Sequence, residues 1–358
     1  MPKALIAMSG GVDSSVAALL MKQRGYECIG MTMKLFTNED ISLSKQHTCC
    51  SLEDVADARS VAYSLGMPHY TANFAARFKQ DVIDHFIDDY EHGRTPNPCI
   101  DCNRHLKFDQ LFLRAKELEC DYVVTGHYAR VIRDEETGLY QLKKALDPTK
   151  DQSYVLYAMS QEQLSHTQFP LGDMTKTEAR AIAEEHGFIN AKKHDSQDIC
   201  FVPDGRYADF IRGYTGKEYP PGPFLDTEGN VLGTHKGIIH YTVGQRKGLG
   251  LSLPEPLYVK YVDPVNNAVI LAPDHLLYSR NLIAHDLQLI AATRLTEPAR
   301  LKAKIRYRQA EEWATVIQTD EDTLSVEFDE PQRAITPGQA VVLYDGDVVV
   351  GGGIISLT

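Results

Sequence analysis

Ala7-Met8-Ser9-Gly10-Gly11-Val12-Asp13-Ser14-Ser15 joins a compact β-type run, Lys3 to Met8, to a helical pattern that opens at Val16-Ala17-Ala18-Leu19-Leu20-Met21 and ends near Gly25. A strand that runs straight into a helix leaves the first N–H groups of that helix unpaired and turns its positive dipole end toward the loop, which favours an anion there. Gly10 and Gly11 allow the backbone to approach phosphate closely, and Ser9, Ser14 and Ser15 add hydroxyl donors. Asp13 would repel a bare phosphate, so its position predicts a Mg2+ ion bridging phosphate oxygens. A glycine turn capped by serines would explain a lone Gly-Gly pair. The full string S-G-G-V-D-S-S favours a pyrophosphate cradle.

The loop lacks the lysine of G-x-x-x-x-G-K-[ST], which disfavours γ-phosphoryl transfer in the P-loop manner. It resembles the PP-loop of the ATP pyrophosphatases, with their adenine-nucleotide-α-hydrolase-like fold. These enzymes cleave ATP between the α and β phosphates and leave AMP on a substrate oxygen. The resemblance implies ATP as the nucleotide and a carbonyl oxygen activated for replacement.

Outward from the loop, apolar runs recur at Cys28 to Leu35, Pro68 to Ala72 and Asp121 to Thr125. Helical patterns separate them at Glu53 to Leu65, Ala75 to Tyr90 and Leu106 to Leu118. This alternation predicts an α/β domain with a doubly wound parallel sheet. Ligands of such sheets bind at the carboxyl ends of the strands, where the Ser9 loop, Met33 and Gly126-His127 emerge.

The chain has 358 residues, 43% of them hydrophobic, enough for two or three domains with ordinary cores. A net charge of -12 argues against indiscriminate coating of nucleic acid, so an RNA partner would need local basic patches. No apolar run approaches a membrane span, and the N-terminus enters a strand rather than a signal peptide, which points to a cytoplasmic protein without a membrane partner. Seven cysteines, an odd number, do not read as a disulfide framework.

Gly93-Arg94-Thr95-Pro96-Asn97-Pro98-Cys99-Ile100-Asp101-Cys102-Asn103-Arg104 carries two prolines two apart and predicts an ordered surface loop. Cys99-x-x-Cys102 admits three chemical readings. Half a zinc site needs two more ligands, and Cys49-Cys50 are poorly spaced for a knuckle. A thioredoxin-like pair belongs at a helix N-terminus after the first strand, which is not expected here. A single nucleophilic cysteine, its thiolate stabilised by Arg94 and Arg104, fits better, although spacing leaves a non-catalytic pair open. Cys200, between Ile199 and Phe201, reads equally as a small buried apolar residue.

Beyond Cys200 helical periodicity fades. Tyr219-Pro220-Pro221-Gly222-Pro223 reads as a linker or turn, and short strands are expected, among them Gly237 to Gly244, Leu257 to Val262, Val341 to Leu343 and Val348 to Ile355, with a division near Leu276 to Arg280. Arg294 to Arg308 holds six basic residues and one acidic one. Lys302, Lys304, Arg306 and Arg308 alternate there with Leu301, Ala303, Ile305 and Tyr307, the pattern of a strand with one core face and one basic face suited to a phosphate backbone. Trp313 is expected in the core.

Taken together the motifs S-G-G-V-D-S, T-C-C-S-L-E-D-V-x-D-A, G-R-T-P-N-P-C-I-x-C-N, T-G-H-Y-A-R, K-D-Q-S-Y, D-S-Q-D-I-C-F, G-Q-R-K-G-L-G and R-Y-R-Q resemble those of the tRNA-specific 2-thiouridylases, from Met8 nearly to the C-terminus. The resemblance implies a PP-loop domain over residues 1–202, a central β-rich domain over 203–278 and a C-terminal β-barrel over 279–358. It implies a tRNA with a wobble uridine as partner, AMP placed from ATP on the C2 oxygen of that base, and sulfur delivered from a cysteine persulfide. A sulfur donor follows, either a cysteine desulfurase or a sulfur-relay protein.

The catalytic set it implies is Cys102 as nucleophile, Cys200 as persulfide carrier, and Asp13. Cys102 either attacks the persulfide, forming a disulfide with Cys200, or releases hydrosulfide to attack C2. The nucleotide site would comprise Ala7, Met8, Ser9, Gly10, Gly11, Val12, Asp13, Ser14, Met33 and Gly126. Asn97, Pro98 and Cys99 would meet the uridine, and His127, Lys150, Asp151, Gln152, Arg306, Tyr307 and Gln339 other parts of the tRNA. One departure is Ser196-Gln197-Asp198-Ile199-Cys200, where many relatives have S-T-G-I-C; the cysteine stays in register. Two rival readings are a PP-loop adenylating enzyme acting on a small metabolite and a zinc-stabilised tRNA-binding protein.

Overall fold

The computed structural model describes residues 1–36, 52–193, 199–202 and 205–356. Cys49, Cys50 and the 194–198 part of the motif around Cys200 lie outside the described residues. The chain divides into two compact units. One comprises Met1–Val82, Cys99–Gly205 and Asp347–Val350, the other Ile83–Pro98, Arg206–Gly346 and Gly351–Thr358.

The first unit is built on a five-stranded parallel sheet. Strands β1 (Lys3–Ala7), β2 (Glu27–Lys34), β3 (His69–Asn73) and β4 (Tyr122–Val124) lie in the order β3-β2-β1-β4, with Thr167–Gln168 completing the edge. Alternate residues of β1 serve the two faces, as the two-residue strand period requires. Ala4 and Ile6 pack against α1 (Val12–Gln23), α2 (Leu52–Ser64) and the helix Lys176–Glu185, while Leu5 packs with Leu111 and Ala115 of the helix Leu111–Glu117. The doubly wound α/β expectation therefore holds, and its order sets β2, β1 and β4 side by side. A hairpin of Arg130–Arg133 and Tyr140–Lys143 follows, with Val348 opposite Lys143 and the Arg130 guanidinium on Asp347 at 2.7 Å.

Two expectations need correction here. The segment read as a loop across Gly93 to Arg104 becomes helical at Pro98–Asp101 and continues as a π-helical stretch, Cys102–Gln110. Pro98 opens that turn, the one helical position where a missing N–H costs nothing, so two prolines two apart did not forbid a helix. The predicted helix over Ala75 to Tyr90 is present but widens to π geometry over Lys79–Ile83.

In the second unit a four-stranded sheet runs Tyr258–Asp263, Ala268–Ala272, Gly222–Leu225, Val231–His235. Tyr278–Leu289, Leu324–Arg333, Glu312–Gln318, Ala299–Lys304, Ala340–Asp345 and Val348–Ile355 follow one another round a barrel, which closes where Ala284 pairs with Ile355 and Leu289 with Gly351. Leu301 and Ala303 point inward, leaving Lys302 and Lys304 outward as the alternation predicts, but the strand ends at Lys304, so Arg306 and Arg308, expected to continue its basic face, lie beyond it in a bend and a turn.

The second unit also contains a helix, Tyr207–Thr215, where only strands were expected. Tyr207, Phe210, Ile211 and Tyr214 recur at helical spacing, and Tyr207 stacks on Tyr90 with ring centroids 4.6 Å apart. Gly237 to Gly244, predicted as a strand, instead makes a short 3-10 turn at Ile238–His240. Trp313 is 49% exposed. Ala314 and Val316 take the inward positions of its strand, so Trp313 must face out, between Arg300 and Lys302, each 5.7 Å from its ring.

Candidate active site

The carboxyl ends of β2, β1 and β4 bring Met33, the Met8–Ser15 loop and Gly126 to one edge of the sheet. The turn is made by Gly10 at φ +76°, where an added Cβ would stand 2.3 Å from the Asp54 carbonyl oxygen on α2. At Gly126 a Cβ would come within 2.7 Å of the Asp13 carbonyl carbon and the Ser14 nitrogen. Glycine at these two positions lets the β1 loop, α1 and the end of β4 close up.

Hydrogen bonds fix the loop's shape. The Ser14 and Ser15 hydroxyls both donate to the Gly11 carbonyl at 3.0 Å, and the Ser9 N–H donates to Ser14 Oγ at 3.2 Å. Of the three serines expected to face the anion, Ser9 is exposed and the other two are buried. The Gly10 carbonyl accepts from Asn190 Nδ2 at 2.9 Å and from Lys193 Nζ at 3.4 Å. Lys193 also reaches Asp54 at 2.6 Å and Asp57 at 2.8 Å. Partial burial pushes the Lys193 pKa down, but the two carboxylates outweigh it and raise it above the ordinary lysine value, so the ammonium is retained.

Asp13 is not a lone carboxylate. Lys176 Nζ donates to its two oxygens at 2.7 and 2.8 Å, and the Tyr128 hydroxyl donates to it at 2.9 Å. Among the described residues no group of three or more His, Cys, Asp and Glu side chains is placed to hold a metal ion. The carboxylate expected to hold Mg2+ is thus already bound to an ammonium and a hydroxyl.

The described cysteines fall into two groups. Burial pushes the Cys28 thiol up to about 11 and raises Cys120 as well, which makes both poor nucleophiles. Cys99 is exposed, and Cys102 and Cys200 are half-buried. Cys102 is the first residue of the π-helical stretch, a geometry frequent at functional sites. Contrary to expectation the Cys99-x-x-Cys102 pair does open a helical segment. The Arg94 guanidinium, expected to assist the thiolate, is held by Asp88 at 2.8 Å and by Asp89.

Comparison with known proteins bears on what this constellation is for. Residues 2–204 match the family model described as a tRNA methyl transferase HUP domain, 208–273 the tRNA methyl transferase PRC-barrel domain, and 279–355 the aminomethyltransferase beta-barrel domain. The tRNA-specific 2-thiouridylase MnmA of Clostridioides difficile is 52% identical over 353 residues, covering 99% of this chain and 98% of the relative. The chain belongs to the tRNA-specific 2-thiouridylase family. The same-named proteins of Symbiobacterium thermophilum and Acetivibrio thermocellus are each 52% identical as well, with 99% of this chain covered and 92% and 99% of theirs.

For a 2-thiouridylase, the residues expected to meet tRNA have well-defined local roles. The Asp151 carboxylate accepts from the Ala145 and Ser153 N–H groups and the Ser153 hydroxyl, and Gln152 Oε1 accepts from the Tyr128 N–H at 2.9 Å. Lys150 is half-buried beside them. In the second unit Arg306 donates to the Ala334 carbonyl and to Thr336 Oγ1, and Tyr307 lies 5.9 Å from the Lys304 ammonium. Gln339 Nε2 donates to the Thr95 and Pro96 carbonyls at 2.8 and 3.1 Å, while the Thr95 N–H donates to Pro337. A barrel turn thus braces the segment that leads to half-buried Asn97 and buried Pro98.

Lys176, Asn190, Lys193 and Tyr128 were not anticipated at the loop. T-G-H-Y-A-R contains Tyr128, but no local spacing signals that a lysine more than 160 residues away meets Asp13.

His127 is buried, its Nδ1 paired with Thr125 Oγ1 at 2.6 Å and its Nε2 3.4 Å from Lys107 Nζ. Burial, reinforced by the Lys107 charge, lowers its pKa well below 6.5, so the folded protein holds the ring neutral. A depressed folded pKa contributes stability that is fully present above the unfolded value of about 6.5 and is lost as pH falls toward the folded value. Denaturant unfolding at pH 7.5 and 5.5 should therefore show a smaller acid-induced loss in His127→Gln than in the parent. An equal loss would contradict this assignment.

Proposed function

We propose that this chain replaces the C2 oxygen of a tRNA wobble uridine with sulfur, using ATP to activate that oxygen and a persulfide on Cys200 to supply the sulfur. What chiefly supports the reading is the loop edge, where Gly10 and Gly126 leave room for nothing larger than a hydrogen beside a helix N-terminus that no side chain caps, in a chain 52% identical to a 2-thiouridylase over 98% of that relative's length. We propose the domain limits 1–202, 203–278 and 279–358 for the same reading.

ATP supplies the AMP that makes the uracil O2 a competent leaving group. The first turn of α1 and the Met8–Ser15 backbone hold the phosphates, with Ala7, Met33 and Gly126 bordering the nucleotide. Mg2+ fits as a companion of those phosphates rather than as the occupant of a protein cage. Cys200 receives the terminal sulfur from a desulfurase or relay protein. Cys102 attacks the inner sulfur of that persulfide, forming the Cys102–Cys200 disulfide and releasing hydrosulfide, which adds to C2 as AMP departs. An external dithiol then reduces the disulfide. Asn97, Pro98 and Cys99 receive the extruded base, and Lys150, Asp151, Gln152, His127, Arg306, Tyr307 and Gln339 serve the tRNA.

The test of the adenylation step is the product of ATP turnover. With an unmodified tRNA bearing a wobble uridine, α- and γ-labelled ATP should give AMP and pyrophosphate. ADP and phosphate, or AMP formed equally well without tRNA, would overturn the reading.

Gln339 offers a separate check. Because its amide braces Thr95 and Pro96, Gln339→Ala should lose about 1–2 kcal/mol of stability from two hydrogen bonds. It should also slow single-turnover thiolation about tenfold by misplacing the uridine loop. A loss of tRNA affinity with an unchanged rate would show that Gln339 acts by direct contact instead.

A further inference from the structure

Lys176 is the first residue of the ten-residue helix Lys176–Glu185 and is 8% exposed. Lysine is almost never buried this deeply without a partner, and its partner here is Asp13, on the first turn of α1 within the phosphate loop. Asp13 remains about a third exposed, so the pair is not sealed from solvent. The Tyr128 hydroxyl holds the same carboxylate, and the Lys176 ammonium lies 5.9 Å from the Tyr128 ring. The position of the pair is further fixed through Asp147, which accepts from the Lys176 N–H at 3.1 Å.

Two observations gain a common explanation from this cluster. The loop has no lysine of its own, and an aspartate sits where polyphosphate is expected. From these we infer that Lys176 supplies, from a distant helix, the phosphate-binding ammonium the loop lacks, and that Asp13 positions Lys176 rather than ligating a divalent cation. Asp13 holds the ammonium at the loop and is itself neutralised by it, so neither charge confronts the nucleotide alone. The inference rests on the loop being an ATP site and goes beyond that reading by naming the β,γ-phosphate group as the moiety Lys176 serves.

The test uses the full chain and equilibrium binding of ATP and of AMP, with Mg2+ titrated. Measurable ATP binding by the parent protein checks the nucleotide-site reading by itself. Given that binding, Lys176→Met should weaken ATP by about tenfold or more, the worth of one charge-assisted hydrogen bond, and AMP by less than threefold. Lys176→Arg should retain most of the ATP affinity. Equal losses for ATP and AMP would mean that Lys176 only shapes the loop and would overturn the inference.

Asp13→Asn, which keeps the side chain's shape, covers the case in which Lys176→Met does not fold. It should leave the Mg2+ dependence of ATP binding unchanged, whereas a shift to higher Mg2+ would make Asp13 a metal ligand. The double variant Asp13→Asn/Lys176→Met should stay about tenfold weaker for ATP than Asp13→Asn alone. Equality of the two would reduce Lys176 to a counter-charge and refute its phosphate role.

Discussion

Gly10→Ala is expected to abolish nucleotide binding and to destabilise the parallel-sheet unit by about 3 kcal/mol, the combined effect of a left-handed Cβ and an overpacked contact. The added methyl would lie 2.3 Å from the Asp54 carbonyl oxygen, and backbone atoms on a packed helix cannot yield as the end of a flexible side chain can. Relief would have to come from moving α2 or flattening the loop. Either movement breaks the contacts that Asn190 and Lys193 make with the Gly10 carbonyl. Gly25→Ala is the matched control. Gly25 also has positive φ, +83°, but nothing lies within 4 Å of its added Cβ. That variant should lose only about 1 kcal/mol and bind ATP normally. Parallel denaturant unfolding and ATP-binding isotherms check the pair, and similar behaviour of the two variants would mean that the tight loop is dispensable.

The second large effect concerns sulfur. Cys200→Ser should lower thiolation from a persulfide donor on the order of a thousandfold or more, since a serine oxygen cannot carry the transferable sulfur. Cys102→Ser should fall comparably, yet both variants should still release pyrophosphate from ATP with tRNA, because activation of the base precedes sulfur transfer. Replacement of Cys28 or Cys120, whose thiols burial holds in the protonated form, should leave turnover nearly unchanged. Undiminished turnover in Cys200→Ser would remove the sulfur-carrier role.

Much of this arrangement is legible in the chain because it is local. The S-G-G-V-D-S-S string, its flanking strand and helix, and the alternation through β1 to β4 depend on neighbouring residues and periods of two or 3.6. Where sequence and structure differ, the causes are physical. The residue type of Trp313 points to the core, whereas Ala314 and Val316 already reserve the inward positions of its strand. The helix Tyr207–Thr215 carries an i, i+3, i+4, i+7 pattern and ends at Gly216 with φ +65°, so its signal was present but short. Lys176, Asn190 and Lys193 are different in kind. They reach the loop only through the packing of distant elements, and a single sequence carries no local mark of such a meeting.

Thiolation itself is read by incubating the protein with ATP, Mg2+, a sulfide or persulfide source and an unmodified tRNA bearing a wobble uridine, then digesting the tRNA and analysing its nucleosides. 2-Thiouridine should form at the wobble position, and only when ATP is present. Absence of 2-thiouridine with every sulfur source, from protein that binds both ATP and tRNA, would contradict the proposed function.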